Sequence, residues 1–558
     1  MRSFLPLCSC LLLPRLLYGA EKSDVVMIVA DDLRPELGGP YGCDETSATP
    51  RLNALMADEH SVTFLRAYAQ IALCAPSRNS FLTGRAPVTT KAWQFRDDFR
   101  EVGPQWTTLP QAFKKAGYTT VGAGKVFHPG LPADWDMPFS WDERMNNSQW
   151  QPWLYPSEPR CPHSTTWCAL ESNATHDFED TQTTERALEL LKNATAEHHY
   201  FLAVGYRKPH LQWRFPAQYL LPVREEDNAT AELFPDQAPA LAFHMPYSEF
   251  SAFSDVDECG GAAAMAPNVP YPSTCQRQWR RGYASAVAFL DSQVGRILDA
   301  VSEDALVAFF GDHGWHLGEQ AEWEKFTNFE NAVRVPLILR HSSLTNSVVH
   351  RPTELLGLFP TLTRLAGVDV AYLEDESAPL DGSDFFSSEE IPYARSMFPR
   401  CVGGENYNDD FKRNETYPEW YLNDCNDVPR SLFTHVGYSL RDHHWRYTAW
   451  FVWNGTSLEP ADGGLDGGAI PVALELYDHR QDDGSGLSAF HDFETVNLAP
   501  DPAYAPVLKR FRSELSSQFA SSLVTAWSRP APDVAPTNFF NALTKTTAEQ
   551  QQNTRSST

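Results

Sequence analysis

Apolar runs rich in Val and Ile alternate with amphipathic stretches along the first two thirds of the chain. The run Asp24–Ala30, D-V-V-M-I-V-A, is apolar after its first residue, which is typical of a buried parallel strand. Similar runs predict further strands at Tyr118–Ala123, Tyr200–Gly205, Ala305–Gly311 and Val335–Leu339. Helical periodicity predicts helices at Pro50–Asp58, Leu109–Ala116, Thr183–Leu191, Arg281–Val301 and Glu354–Leu365. This alternation predicts an α/β fold, with a large mixed, mostly parallel sheet sandwiched by helices.

The pattern changes after about Pro379. The stretch Arg400–Asn426 is polar, aromatic and rich in turn residues, and strand-like segments follow at Trp445–Trp453 and Val472–Tyr477. A smaller C-terminal α+β subdomain is therefore predicted, followed by a disordered tail rich in Pro, Thr, Gln and Ser. The predicted division is a signal peptide at residues 1–20, a large N-terminal domain at 21–380, the C-terminal subdomain at 381–527 and the tail at 528–558.

The amino terminus and six sequons predict entry into the secretory pathway. The apolar run Phe4–Leu13 is too short for a bilayer span, which needs ~20 residues, and predicts a signal peptide cleaved near Ala20. No later stretch is long and apolar enough to predict a membrane span. N-x-S/T sequons stand at Asn146, Asn173, Asn193, Asn228, Asn414 and Asn454. The expected location is lysosomal or extracellular.

The cysteines fit an oxidising compartment only in part. Of ten, Cys8 and Cys10 lie in the predicted leader. Among the others, three pairs are close in sequence: Cys161 with Cys168, Cys259 with Cys275, and Cys401 with Cys425. The sequence leaves the connectivity open, and this pairing would leave Cys43 and Cys74 as thiols.

Composition narrows the classes of function. The 558 residues are 42% hydrophobic and 21% charged, which is typical of a globular protein. Asp and Glu number 72 against 45 Lys and Arg, a formal net charge of −27. Such a surface repels phosphate backbones, so nucleic-acid binding is not expected. Any anionic ligand must be bound by a local cluster of cations.

Acidic residues stand where two predicted strands end. Asp31 and Asp32 close the first strand, and Asp312 with His313 follows a later one. The carboxyl ends of parallel strands share one edge of a sheet, so these groups can converge there. Hard divalent cations prefer oxygen ligands, and the pattern therefore favours a metal site at this edge.

A cysteine-centred motif adds a nucleophile to these carboxylates. Residues Cys74–Arg85 read C-A-P-S-R-N-S-F-L-T-G-R, and Gly117–Phe127 read G-Y-T-T-V-G-A-G-K-V-F. In these motifs, and in Asp312-His313-Gly314, the sequence resembles the sulfatase family. The resemblance implies an alkaline-phosphatase-like fold. It also implies that a formylglycine-generating enzyme oxidises Cys74 to Cα-formylglycine in the endoplasmic reticulum, before folding.

The resemblance also assigns chemical roles. One hydroxyl of the hydrated aldehyde attacks sulfur and forms a covalent sulfate ester. The second hydroxyl then loses its proton, which reforms the aldehyde and expels sulfate. A serine has no second hydroxyl and lacks this release step. Calcium binding is assigned to Asp31, Asp32, Cys74, Asp312 and His313, and catalysis to Cys74, Arg78, Lys125, His128, His210 and Lys325. Of the catalytic residues, Arg78 and Lys125 would hold the diol, and Lys125 and Lys325 the sulfate oxygens. His128 would act on a diol hydroxyl, and His210 would protonate the leaving alcohol.

Three segments refine the expected substrate. Lys125–Gly130, Leu202–His210 and Asp312–Glu319 are most similar to the branch of the family that acts on iduronate 2-sulfate. The expected reaction is hydrolysis of the 2-O-sulfate of a terminal uronic acid in a glycosaminoglycan-like saccharide. Residues 325–329, K-F-T-N-F, depart from the K-Y-S-N-F of that branch and lack its phenol hydroxyl.

Three other functions are compatible with parts of this pattern. One is a sulfatase for another sulfated glycan. The second is a phosphate- or phosphonate-ester hydrolase of the same superfamily, although C-A-P-S-R argues against members that use Ser or Thr. The third is a sulfated-glycan binder that has lost catalysis, which the complete set of catalytic residue types disfavours.

Overall fold

The computed structural model describes most of the chain. It covers residues 22–43, 48–142, 161–162, 165–171, 178–194, 198–223, 235–245, 254–260, 270–371, 373, 377–388, 392–402 and 425–519. The predicted signal peptide and tail, and the sequons at Asn146, Asn173, Asn228 and Asn414, lie outside these residues. Within them, none of the helices combines the length and hydropathy that crossing a bilayer requires.

The described strands number seventeen. They are β1 (Val25–Asp31), β2 (Ser61–Tyr68), β3 (Thr119–Gly124), β4 (Trp167–Leu170), β5 (Tyr200–Pro209), β6 (Trp213–Pro216), β7 (Leu306–Gly311), β8 (His316–Leu317), β9 (Trp323–Glu324), β10 (Arg334–Arg340), β11 (Ser347–Val349), β12 (Thr353–Glu354), β13 (Ala394–Cys401), β14 (Phe433–Arg441), β15 (Trp445–Asn454), β16 (Glu459–Pro460) and β17 (Ala473–Asp478).

The described helices lie between these strands and after them. They are α1 (Pro50–Ala57), α2 (Cys74–Thr83), α3 (Pro87–Thr90), α4 (Phe99–Val102), α5 (Leu109–Lys115), α6 (Glu179–Ala194), α7 (Ser254–Glu258), α8 (Ser273–Leu298), α9 (Glu330–Val333), α10 (Leu358–Leu365), α11 (Ser488–His491) and α12 (Ala505–Gln518).

A mixed eight-stranded sheet forms the centre of the described fold. Its order is β11-β2-β10-β7-β1-β5-β3, and β12 pairs with β2. β1 lies parallel to β5 and β7, and β3 lies parallel to β5, because these strands are joined through crossovers. Every residue of β1 is buried, as its continuous apolar run predicts. The four parallel strands therefore end at one edge of the sheet.

Helices sandwich this sheet, as predicted. Helix α8 contacts both α1 and α6, and a second group is formed by α2, α5 and α10. Helix α6 packs on β3 and β5 and buries Ala187, Leu190 and Leu191, which share one helical face. The α/β prediction is confirmed.

The region after residue 392 contains an antiparallel sheet. Its order is β13-β14-β15-β16, with β17 paired to β15. Aromatic residues of this sheet form a second core, in which the ring of Tyr447 stacks on Phe511 of α12 at 5.3 Å. The smaller C-terminal α+β region is thus present, while its predicted limits of 381 and 527 remain a prediction.

The structure tests three expectations drawn from the sequence. The disulfides of the described residues are Cys161–Cys168, Cys259–Cys275 and Cys401–Cys425, the three pairs closest in sequence. Cys43 and Cys74 are buried thiols. The strand predicted at Val335–Leu339 exists as β10, but it runs antiparallel to both neighbours, β2 and β7. β2, which sequence analysis missed, carries an Arg and polar residues that break the apolar run.

Candidate active site

The ends of four parallel strands place four predicted site residues at one edge of the sheet. Asp31 is the last residue of β1, and Asp312 directly follows β7. Lys125 directly follows β3, and His210 directly follows β5. Because these strands share one direction, the four side chains face a common region, where open α/β sheets bind their ligands.

Helix α2 brings Cys74 to the same edge. Cys74 is its first residue, so the thiol lies at the helix N-terminus, where unpaired N–H groups favour negative charge. Its Sγ lies 3.2 Å from Asp31 Oδ1 and 3.3 Å from His313 Nε2. Arg78 lies one turn later on the same helical face and is fully buried.

Two cations bind the carboxylates of Asp31 and Asp312. Lys125 Nζ lies 2.5 Å from Asp31 Oδ2. The Arg78 guanidinium donates to Asp312 Oδ2 through Nε at 3.0 Å and lies 3.4 Å from Asp31 Oδ1. It also donates to the carbonyl oxygens of Lys125 and Val126, which fixes the guanidinium plane against the end of β3.

Asp32 and Lys325 complete the arrangement. Lys325 Nζ lies 3.0 Å from Asp32 Oδ1 and 3.5 Å from Cys74 Sγ. The backbone N–H of Asp32 donates to Asp312 Oδ1 at 3.0 Å, and His313 Nε2 lies 3.4 Å from Asp32 Oδ1. We call the following eight residues the sheet-edge cluster: Asp31, Asp32, Cys74, Arg78, Lys125, Asp312, His313 and Lys325. All are buried.

Four members of the sheet-edge cluster have the spacing of metal ligands. One atom from each of Asp31, Cys74, Asp312 and His313 lies within 4.8 Å of the others. A second such group joins Asp32 and Cys74 to His210. The predicted metal ligands are therefore brought together, and sulfur is the one soft donor among them.

Burial and neighbouring charges perturb the acid–base behaviour of this cluster. Burial, reinforced by Asp31, raises the pKa of the Cys74 thiol well above its usual range. Burial alone would raise the pKa of the Asp31 carboxyl, but Lys125 and other cations hold it well below the usual range. Burial raises the pKa of Asp312 to about 7, although Arg78 opposes the shift. The cysteine is thus held as a neutral thiol, which is a weak nucleophile.

The two candidate acid–base histidines differ in their surroundings. The ring of His128 stacks on Phe95, with centroids 4.4 Å apart. His210 Nδ1 lies 2.8 Å from the Leu211 carbonyl oxygen, which leaves Nε2 directed toward Asp32, 3.9 Å from Oδ2. Burial, together with nearby lysines, lowers the pKa of both histidines well below the usual value.

Comparisons with known proteins agree with this geometry. The profile of the family described as Sulfatase matches residues 23–368. The chain is 33% identical over 485 residues to the iduronate 2-sulfatase of Homo sapiens, across 77% of this chain and 85% of that protein. The chain belongs to the sulfatase family. It is a sulfuric ester hydrolase.

Solved structures resemble the fold of this sulfatase. The phosphonate monoester hydrolase of Agrobacterium radiobacter matches with a TM-score of 0.61 at 17% identity, over 89% of this chain and 95% of that one. A 2-O GAG sulfatase matches with a TM-score of 0.57 at 18% identity, over 89% of this chain and 92% of that one. At these identities the likeness establishes the alkaline-phosphatase-like fold.

Two side chains that sequence analysis missed fix the loop that carries His210. Asp180, in α6, accepts hydrogen bonds from the backbone N–H groups of Arg207 and Lys208, both at 2.8 Å. Lys208 Nζ donates to the carbonyl oxygens of His210 and Gln212, at 3.4 and 2.8 Å. Lys208 is part of K-P-H, so the motif could have indicated it. Asp180 is remote in sequence and carries no local signal.

The backbone around Lys325 is unusual in this sulfatase. Glu324 and Phe326, on either side of it, have φ of +73° and +70°. This left-handed region costs a non-glycine residue on the order of 1–2 kcal/mol. The Phe326 ring is buried, with His244 and Phe398 centroids at 5.9 and 6.1 Å. The phenylalanine in K-F-T-N-F therefore belongs to a buried aromatic cluster beside the lysine.

Proposed function

We propose that this sulfatase hydrolyses the 2-O-sulfate of a terminal uronic acid in glycosaminoglycan-like saccharides, with Cys74 converted to Cα-formylglycine and with Ca²⁺ bound at the sheet edge. The observation that carries the proposal is the sheet-edge cluster. It surrounds Cys74, at the start of α2, with three buried carboxylates and three buried cations. Such a site offers a nucleophile, a cation site and fixed donors for an anion together.

The donor set fits a hard divalent cation once Cys74 is modified. Asp31, Asp32 and Asp312 supply carboxylate oxygens, and His313 adds a nitrogen. The Cys74 sulfur is the mismatch, and oxidation to an aldehyde replaces it with oxygen. Bound there, Ca²⁺ would supply Lewis-acid polarisation of a sulfate oxygen and favour the deprotonated nucleophile.

The state of the thiol also supports modification. A cysteine whose pKa is raised by burial and by Asp31 is protonated at physiological and at acidic pH. It would therefore attack a sulfate ester slowly. The hydrated aldehyde instead supplies an oxygen nucleophile, and a second hydroxyl that allows sulfate to leave.

Charge balance supports the binding of an anion together with a divalent cation. The three carboxylates and the three cations of the sheet-edge cluster sum to zero. A divalent cation adds two positive charges, and a singly charged sulfate ester would offset one of them, so the cation and the ester together change the buried charge less than the cation alone. Lys125 and Lys325 face the sulfate oxygens in this proposal, and Arg78 holds the modified residue 74.

Two histidines handle protons in the proposed reaction. His210 Nε2 is the atom that would donate a proton to the leaving alcohol, because its Nδ1 is directed at the Leu211 carbonyl. The stack on Phe95 restrains the ring plane of His128, which would accept a proton from a hydroxyl on residue 74. Burial and nearby lysines favour the neutral form of both rings, and the negative charge of a bound sulfate ester would oppose that shift.

The choice of sugar rests on one relative and on local sequence. The relative from Homo sapiens is named iduronate 2-sulfatase. The test is a panel of sulfated disaccharides that compares uronate 2-O-sulfate with glucosamine 6-O- and N-sulfates, an aryl sulfate and a phosphonate monoester. We expect the highest kcat/KM for the uronate 2-O-sulfate. A preference for a glucosamine sulfate would overturn the uronate assignment, and a preference for the phosphonate would favour the second reaction class.

We further propose maturation in the secretory pathway and residence in the lysosome or outside the cell. Three disulfides support an oxidising compartment. Two of the sequon residues, Asn193 and Asn454, are exposed at the ends of α6 and β15, where a glycan can be attached. Glycosidase treatment of the secreted protein should lower its apparent mass. Before treatment, the Asn454→Gln variant should be lighter than the wild-type protein by the mass of one glycan.

A further inference from the structure

Arg400 is a fully buried guanidinium that binds carbonyl oxygens. It lies on β13 in the C-terminal region and donates to the carbonyl oxygens of Leu241, Ala242, Phe326 and Pro399 at 3.0–3.1 Å. The indole ring of Trp450 lies 4.6 Å from its Cζ. Burial lowers the pKa of this arginine to about 9, because Glu322 and Glu475 compensate the charge only in part. Burial of such a charge is costly, so we expect Arg400 to have a specific role.

One of these carbonyls belongs to the residue that follows Lys325. The Phe326 carbonyl accepts from Arg400 Nη1 at 3.1 Å, and His244 Nδ1 lies 3.3 Å from the same oxygen. On the other side of Phe326, its N–H donates to the Ala72 carbonyl at 3.4 Å, two residues before Cys74. The peptide next to Lys325 is therefore held between the C-terminal sheet and the segment that leads into α2.

The backbone at this point needs such support. Phe326 and Glu324 both occupy the left-handed region, which a non-glycine residue adopts only when surrounding contacts impose it. Without the Arg400 hydrogen bonds, relaxation of φ at Phe326 would swing the Lys325 side chain. Its ammonium group would then move from its place beside Asp32 and Cys74.

We propose that Arg400 is a positioning residue for Lys325, which it holds through the Phe326 carbonyl at the place where sulfate oxygens bind. This role rests on the proposed function of Lys325. It makes the C-terminal region a part of the catalytic apparatus, although the groups assigned to the chemistry all come from the N-terminal part of the chain. A misplacement of the order of 1 Å in such a group can cost up to about 100-fold in rate.

The test is a double-mutant cycle between Arg400→Met and Lys325→Ala, measured with an aryl sulfate. If Arg400 acts through Lys325, Arg400→Met should lower kcat/KM by about 10- to 100-fold in the wild-type background. In the Lys325→Ala background the same change should cost less than about 3-fold, because the interaction it supports is already gone. Inhibition by inorganic sulfate should weaken in parallel. Equal fold-changes in the two backgrounds would overturn the proposal.

A matched control separates positioning from general destabilisation. Arg66 is equally buried and also donates to backbone carbonyls, those of His350 and Asp482, away from the sheet-edge cluster. Arg66→Met should lower the melting temperature but leave kcat/KM within about 3-fold. The formylglycine content of each variant is measured by mass spectrometry, so that impaired maturation is not mistaken for impaired catalysis.

The remaining outcomes also decide the matter. If Arg400→Met does not fold, Arg400→Gln and His244→Phe are each combined with Lys325→Ala in the same double-mutant cycle and judged by the same criterion. His244→Phe removes the second nitrogen that faces the Phe326 carbonyl. If the wild-type protein cleaves uronate 2-O-sulfate but the cycle is additive, only the positioning role fails. If the wild-type protein, with residue 74 converted, cleaves none of the sulfate esters, the proposed function fails first.

Discussion

Two buried charge clusters each include a residue of the short segment 325–330, Lys325 in one and Glu330 in the other. The sheet-edge cluster is one. The other, which we call the arginine cluster, consists of Glu330, Arg441, Arg446, His479, Asp482 and Glu494. Both contain carboxylates and a histidine close enough together for a metal, since Glu330, His479 and Asp482 also satisfy that spacing. Proximity of such groups therefore does not by itself identify a catalytic site.

The difference lies in what neutralises the carboxylates. In the arginine cluster, guanidinium groups bind each of them: Glu330 accepts from Arg441 Nε at 3.1 Å and from Arg446, and Glu494 accepts from Arg446 Nε at 2.6 Å. Despite burial, Arg441 and Arg446 hold the pKa of Glu330 well below its usual range. Such multiply bonded pairs join β14 and β15 to α9 and leave little capacity for a ligand.

The sheet-edge cluster is arranged differently. Two of its three cations are lysines, which act as point charges and can exchange a carboxylate for a ligand oxygen. It also contains a cysteine, Cys74, as the first residue of the ten-residue helix α2, whereas the arginine cluster contains no cysteine. We therefore propose that the sheet-edge cluster serves catalysis and that the arginine cluster serves stability.

The largest effect is expected at Cys74. Cys74→Ala should reduce kcat to background while the melting temperature changes little, because in the proposed reaction the modified side chain supplies the nucleophile. Cys74→Ser should accept sulfate but release it too slowly for sustained turnover. Steady-state assays with an aryl sulfate, combined with circular dichroism, measure both quantities. Near wild-type turnover by either variant would remove the basis for calling this cluster catalytic.

The next effect concerns the cation. Asp312→Asn removes one carboxylate from the proposed Ca²⁺ site and a partner from Arg78, so activity should fall by at least about 10³-fold. Exhaustive chelation of the wild-type enzyme should give a comparable loss that added Ca²⁺ reverses. An active chelated enzyme, or an unimpaired Asp312→Asn variant, would contradict a metal at the sheet edge.

The arginine cluster should give the opposite response. Asp482→Asn weakens the hydrogen bonds from Arg441 and His479 and leaves a buried guanidinium partly uncompensated. The free energy of unfolding should fall by about 3 kcal/mol, while kcat/KM of the folded fraction stays within about 3-fold. Denaturant titration and kinetics at low temperature check this pair of outcomes. A large loss of kcat/KM at unchanged stability would mean that the two clusters share one function.

A smaller effect, on the pH dependence of stability, is expected from Glu475. Its carboxyl lies near the arginine cluster and accepts hydrogen bonds from a tryptophan and a tyrosine. Trp450 Nε1 and the Tyr477 hydroxyl donate to it at 2.6 and 2.7 Å, and burial raises its pKa to about 7. Between the unfolded pKa near 4.5 and this folded value, the folded protein holds a proton that the unfolded chain releases. Stability due to this group is therefore fully present at lower pH and is lost as pH rises toward 7.

Glu475→Gln should remove that pH dependence. We expect the variant to match the wild-type protein near pH 4.5 and to exceed its stability by up to about 3 kcal/mol at pH 7.5. Melting temperatures across this range measure the difference. Parallel pH profiles for the two proteins would show that burial does not perturb this carboxyl as described.

Local pattern was sufficient to predict much of the fold. Buried parallel strands such as β1 are continuous apolar runs, so the sequence alone locates them and the acidic residues at their ends. β10 has the same composition, but its antiparallel direction depends on its partners β2 and β7, which no local pattern encodes. β14 was missed because polar residues interrupt its apolar positions, although most of the strand is buried.

For the candidate site, too, some residues could be predicted from local sequence and others could not. Motifs at Cys74, Lys125 and Asp312 indicated the residues that converge, because their spacing to strand ends is short. Contacts over long separations, such as Asp180 with Arg207 and Arg400 with Phe326, arise only in the folded chain. Sequence analysis therefore identifies the groups assigned to the chemistry better than the groups that hold them in place.

Mass spectrometry of the peptide that contains Cys74 tests the central claim most directly. The protein is expressed in cells that contain a formylglycine-generating enzyme, and its activity on an aryl sulfate is measured on the same preparation. The account predicts that residue 74 is found as formylglycine, lighter than cysteine, in proportion to the specific activity. A fully active preparation in which residue 74 is unmodified cysteine would contradict it.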